Sequence, residues 1–278
     1  MDRIPFGIRR LDTTIGGGAP SGSVVLLSGE AGAGAREFVY TAALMNGLVE
    51  SDPDLFELYY GTLPDGTNPP PEVHYVSFTS RKRQLRREMS LAMDEDIVDA
   101  AIGSITFHDL SNEYFRLSPV PREWYTGETS RISDLGEDQA RTTVPEALGD
   151  TLTDHAPGNL VVIDSIADLI DAPTDDLEWD DVPVLLKGIS RVAFGWGGMV
   201  LVHVNRESLD DARHGQLVDA ADGTLLFRWE SGGSTRDRTM VVKQFRGVLS
   251  RIEDEDIVQF ETEIGESGFD ISDVRKIR

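Results

Sequence analysis

The residues best suited to chemistry are eight consecutive ones, Gly29-Glu30-Ala31-Gly32-Ala33-Gly34-Ala35-Arg36, which follow the apolar run Val24 to Leu27. Their glycine spacing is that of a Walker A loop, whose backbone N–H groups cradle phosphate at the start of a helix. Two side chains break the pattern. Ala35 stands where a phosphate-reaching Lys belongs, and Arg36 where a magnesium-binding Ser or Thr belongs. Gly29, Gly32 and Gly34 still let backbone amides receive an anion. Arg36 could neutralise a phosphate, but its planar fork is not equivalent to an ammonium. A vestigial or weak site for ATP or ADP, or a purely structural glycine loop, is therefore expected.

About 130 residues further on, Val161-Val162-Ile163-Asp164-Ser165 has the Walker B pattern. There a carboxylate at the end of a buried strand holds the magnesium of a bound nucleotide. Any parallel strand can end in Asp, so the pattern gains its weight from standing downstream of a glycine loop. Asp164 is the candidate magnesium ligand.

These groups need strands and helices to position them. Turn residues between Pro5 and Gly22 lead into a buried strand at Ser23 to Ser28, and Phe38, Ala42, Met45 and Val49 mark a helix from about Ala35 to Leu48. The Pro-rich stretch 50–71 reads as a surface insertion before a strand at Val73 to Phe78. A helix opening on Arg81, Lys82, Arg83, Arg86 and Arg87 is expected to reach about Ala100, followed by a short strand at Ser104 to Phe107. Residues 111–136 read as an irregular loop or lid. Beyond them the pattern predicts a helix from about Ala140 to His155, a strand at Asn159 to Asp164, a helix at Pro183 to Trp196 and a strand at Gly198 to Val204. A shorter element at Gly223 to Trp229 and an edge hairpin around Gly265 and Gly268 complete the chain. Fully apolar strands alternating with helices predict one α/β domain over 1–278, with a mostly parallel central sheet flanked by helices and a C-terminal β-hairpin.

The composition bounds the partners. With 49 acidic against 26 basic residues the formal net charge is −23, a field that repels nucleic acid unless a basic patch opposes it locally. Only four of the basic residues are Lys, and the balance resembles that of cytoplasmic proteins of extreme halophiles, where multimolar salt screens self-repulsion. The absence of Cys excludes disulfides and thiolate metal sites. No apolar run reaches the roughly 18 residues that a membrane helix needs, and no secretion signal is evident, so a cytoplasmic location is expected.

Gly7-Ile8-Arg9-Arg10-Leu11-Asp12, Gly16-Gly17-Gly18, Pro20, Gly22 to Leu26, Ser28-Gly29 and Gly32-Ala33-Gly34 together resemble the opening of the KaiC/RadA branch of the RecA-like P-loop ATPases. Val162-Ile163-Asp164-Ser165, Val218 to Gly223 and Val241 to Gly247 agree in order and spacing, so the resemblance covers nearly the whole chain. It implies a RecA-like fold, nucleotide held at a subunit interface, and assembly into rings or filaments. It also implies that Arg246 is the arginine reaching a neighbour's nucleotide site. Active relatives carry Glu after the second strand, where this chain has Thr79-Ser80. Loop Lys, metal-binding hydroxyl and catalytic Glu are thus missing together, and phosphoryl transfer depends on such positioning and charge.

The expected function is that of a degenerate, non-hydrolysing KaiC-like protein with a regulatory or scaffolding role, nucleotide-responsive through the loop, acting on a protein partner or as a homo-oligomer. A divergent ATPase using Arg36 and a carboxylate elsewhere is the first alternative. A DNA-binding recombination accessory acting through Arg83, Arg86 and Arg87 is the second, although no aromatic residues interleave with them to stack bases. His74, His108, His155, His203 and His214 show no close metal-ligand spacing, and His203, at the end of a predicted strand, reads as core or rim packing, with facing the nucleotide pocket as the alternative. Trp124, with Tyr114, Phe115 and Tyr125 nearby, marks a surface that could dock a partner.

Overall fold

The computed structural model describes residues 2–126, 143–170, 177–232, 235–254 and 257–276. Strands β1 (Arg3–Ile4) and β2 (Ala19–Pro20) form a small antiparallel pair. Strands β3 (Ser23–Gly29), β4 (Val73–Ser77), β5 (Ile105–Asp109), β6 (Leu160–Asp164), β7 (Met199–Asn205), β8 (Gly223–Gly232), β9 (Thr235–Phe245), β10 (Ile257–Gly265) and β11 (Gly268–Lys276) make one nine-stranded sheet. Its order is β11-β10-β9-β8-β3-β7-β6-β4-β5. From β8 to β5 neighbours run parallel, and β9, β10 and β11 extend the sheet antiparallel.

Both faces are covered, which is why the parallel strands read as continuous apolar runs. Alternation then sorts the side chains. Val25, Leu27, Tyr75, Val162 and Leu201 face the core beneath the Ala35–Ser51 helix. Val24, Leu26, Val76, Val161 and Val202 face the core beneath the Val144–His155, Asp181–Trp196 and Asp211–Ala220 helices. By the same period of two, Asp164 and His203 belong to the first face. The expected fold class and the C-terminal hairpin are both present.

Several local expectations change. Stretch 50–71 contains the helix Pro53–Tyr59, started by the Asp52 side chain accepting the Leu55 N–H. Phe56 and Tyr60, one turn apart, stack at 4.8 Å and are buried, so this stretch is not confined to the surface. The single helix expected from Arg81 to Ala100 is two, Lys82–Ala92 and Glu95–Ala101, because the Asp94 side chain caps a second start on the Asp96 N–H. Within 111–136, residues 111–126 form the short helices Ser111–Phe115 and Arg122–Tyr125, and residues 127–136 lie outside the described residues. The following helix begins at Val144, where Thr143 and Glu146 make a capping box.

Candidate functional site

The glycine loop leaves β3 and enters the Ala35–Ser51 helix, so the first-turn amides, which have no intrahelical acceptor, lie at the carboxyl end of the sheet. Gly32 and Gly34 have φ of +72° and +108°, a region costly for any side-chain-bearing residue. Gly29 is needed for a different reason, since a Cβ there would stand 2.5 Å from that of Ala35. The loop is also tied from outside. Trp229 Nε1 donates to Ala31 O at 3.0 Å, Arg238 Nε donates to Gly32 O at 2.9 Å, and the Arg238 guanidinium stacks on the Trp229 ring. Glu30 accepts the Trp229 N–H. The sequence pattern singled out neither Trp229 nor Arg238, because β8 and β9 meet the loop only through sheet order.

Asp164 sits at the end of β6 with its side chain 5% exposed. Tyr75 on β4 donates its hydroxyl to Oδ2 at 2.6 Å, and His203 on β7 donates Nδ1–H to Oδ1 at 2.8 Å. Arg36, in the first turn of the loop helix, brings Nη2 to 3.5 Å from Oδ1. Burial opposes ionisation of Asp164, but the hydrogen bond and charge of His203, the Arg36 guanidinium and the Tyr75 hydroxyl outweigh it and hold the carboxyl well below the usual range. His203 is therefore buried, as a core position would be, and is in addition a hydrogen-bond partner of the central carboxylate. Tyr75 went unnoticed because nothing in a strand sequence shows which hydroxyl a neighbouring strand will meet.

Magnesium does not fit this arrangement as it stands. Three protein donors take most of the acceptor capacity of the carboxylate, and position 36 presents a cation in place of a hydroxyl. Arg36 is 51% exposed, so its pairing with Asp164 resembles a surface ion pair of about 1 kcal/mol or less. A polyphosphate would compete for that guanidinium. Asp168, four residues beyond Asp164 in the helix Ile166–Ile170, accepts from Thr79 Oγ1 at 3.4 Å, and burial together with Asp164 pushes its pKa up.

A cleft of about 840 Å³ opens beside Arg36 and Arg238, lined also by Tyr40, Glu88, Met93 and Glu266. Its size suits a small ligand, but its acidic residues oppose a polyanion everywhere except at the arginine end.

Arg246 lies elsewhere. Its guanidinium is 81% exposed and reaches Asp222 Oδ1 at 3.2 Å, while Asp222 is anchored by hydrogen bonds with the backbone of Val24. Val24 precedes Gly29 by five residues, about 16 Å along β3, so Arg246 stands at the opposite end of the strand from its own loop. Arg86 pairs with Asp99 and Arg81 donates to the Trp124 carbonyl, so part of the basic cluster is engaged by its surroundings. Trp124 is exposed beside the packed rings of Phe115 and Tyr125. His214 bonds to Ser28 just before the loop, whereas His74, His108 and His155 converge despite their wide sequence spacing.

No protein-family model and no curated protein matches the sequence. Among solved structures the chain is similar to a KaiC-like protein from the hyperthermophilic archaeon Pyrococcus horikoshii, with a TM-score of 0.60 and 18% identity over 98% of this chain and 99% of that one. It is also similar to the flagellar accessory protein FlaH from Methanocaldococcus jannaschii, with a TM-score of 0.59 and 14% identity over 95% of each chain. These similarities establish the RecA-like, KaiC-type α/β fold.

Proposed function

We propose that this protein is a non-hydrolysing member of the RecA-like fold whose output is association with a partner or with further copies of itself, in a regulatory or scaffolding role. The observation that carries the reading is the engagement of Asp164 by Tyr75, His203 and Arg36. An internal monocation takes the role that a bound dication would have, and the carboxylate is satisfied without ligand. Charge stabilisation of a transferring phosphoryl group then lacks both the metal and the loop Lys, each worth several kcal/mol of barrier. Nucleotide, if it acts here, acts as a weak effector that draws Arg36 from Asp164 toward phosphate. Arg246 takes the intersubunit role, since it is exposed and too distant to serve its own loop. One of the similar structures is itself described as a flagellar accessory protein.

Calorimetry with ATP and ADP, in multimolar KCl with and without magnesium, tests the reading. Binding weakened by Arg36→Ala and indifferent to magnesium is expected, with no phosphate release. Magnesium-dependent release abolished by Asp164→Ala would replace it with the divergent-ATPase reading, for which the Asp168–Thr79 contact is the favouring observation.

A further inference from the structure

On the opposite face of the sheet from Asp164, three histidines meet. His74 is the second residue of β4 and His108 the fourth of β5, and both side chains point to the face that also carries Val76. His155 ends the Val144–His155 helix packed over that face. One ring nitrogen from each lies within 4.8 Å of the others, with ring centroids 5.3, 4.9 and 4.7 Å apart.

Two details favour a coordination site over a histidine stack. His74 Nδ1 and His108 Nε2 are 3.1 Å apart, and two nitrogens each about 2.0–2.1 Å from one tetrahedral ion are separated by roughly 3.3 Å. The other nitrogen of His74 is held by Glu72 Oε2 at 3.0 Å, the carboxylate–histidine pairing that fixes the tautomer of a metal ligand and aims its second nitrogen. Asn159 donates Nδ2–H to His155 O at 2.9 Å, holding the end of the histidine-bearing helix beside the cluster. His74 is buried, while His108 and His155 are half-buried, leaving a route for an ion and one water.

We propose that His74, His108 and His155 bind one divalent transition-metal ion of the zinc class, with Glu72 orienting His74 and water completing a tetrahedral set. An all-imidazole donor set selects Zn²⁺, Co²⁺ or Ni²⁺ over the hard cations that an acidic surface attracts loosely. The ion would clamp β4, β5 and the end of the covering helix together, on the far side of the sheet from the loop and independently of it.

The test is a Co²⁺ titration of chelator-stripped full-length protein in multimolar KCl, read by visible absorption and reversed by Zn²⁺. One equivalent with the intense bands of a tetrahedral site is expected. His155→Ala should abolish the bands, and Glu72→Ala, at an exposed position, should weaken affinity about 10–100-fold. Far-UV circular dichroism confirms that both variants remain folded. Absence of saturable Co²⁺ binding in the wild-type chain, or an undiminished equivalent in His155→Ala, would overturn the proposal in favour of a hydrogen-bonded histidine stack.

Discussion

Arg36 Nη2 and Asp164 Oδ1 lie 3.5 Å apart across 128 residues of sequence. The contact joins the first turn of the loop helix to the carboxyl end of β6, the two elements that close around a metal-bound phosphate when such a loop is intact. The first residue of that helix turn able to reach the carboxylate is thus a cation, and it stands beside a buried negative charge.

The two partners should differ sharply in their weight on stability. Asp164→Ala leaves the buried Tyr75 hydroxyl and His203 Nδ1–H without their acceptor and should cost about 2–4 kcal/mol. Arg36→Ala removes a half-exposed group and should cost about 1 kcal/mol or less. Chemical denaturation at fixed salt measures both, and equal losses would mean that Arg36 supports the cluster far more than its exposure implies.

On the proposed reading, Lys at position 35 and Thr at position 36 should make nucleotide binding magnesium-dependent. In Ala35→Lys/Arg36→Thr the new Cβ atoms occupy existing positions, so the Gly29 approach to residue 35 is undisturbed. Asp164 loses its internal counterion, and nucleotide affinity should rise at least tenfold and become magnesium-dependent, read by calorimetry. A variant that folds and still ignores magnesium would show that loop packing by Trp229 and Arg238, and not the ion pair, sets the limit.

What the sequence could and could not reveal follows from the range of each signal. The glycine loop, the apolar strands and Asp164 are local patterns, and they place the carboxyl end of the sheet correctly. The Asp164 partners depend on the β4-β6-β7 order: Tyr75 and His203 reach one carboxylate only because neighbouring strands are in register with matching parity. Phe56 and Tyr60 were hidden by the prolines around them. The three converging histidines arise from β4, β5 and a covering helix, a separation that no spacing rule spans.

Acid should weaken the fold through His214. Burial, then Arg206, Lys243 and Arg228, with Asp211 opposing them, lowers its pKa to about 4, against about 6.5 for an exposed imidazole. The unfolded chain binds the proton more readily, so the contribution is fully present above about pH 6.5 and is lost as pH falls toward 4, by about 1–3 kcal/mol. Denaturation midpoints of wild type and His214→Gln across that interval test this. The variant, unable to titrate, should show the flatter profile, and parallel profiles would remove His214 as the cause.

Arg246 offers the clearest separation between fold and assembly. Its pairing with Asp222 is solvent-exposed, and Asp222 keeps hydrogen bonds to the Val24 N–H and the Ser190 hydroxyl when the guanidinium is gone. Arg246→Ala should therefore leave monomer stability within about 0.5 kcal/mol. The strand length that keeps Arg246 from its own loop makes a neighbouring chain the remaining target for a phosphate-directed role. Sedimentation across a concentration series in multimolar KCl, with and without ADP, should show self-association weakened at least tenfold in the variant, most visibly with nucleotide present. Identical association constants would reduce Arg246 to a surface arginine and leave Trp124 and its neighbouring rings as the surface to probe next.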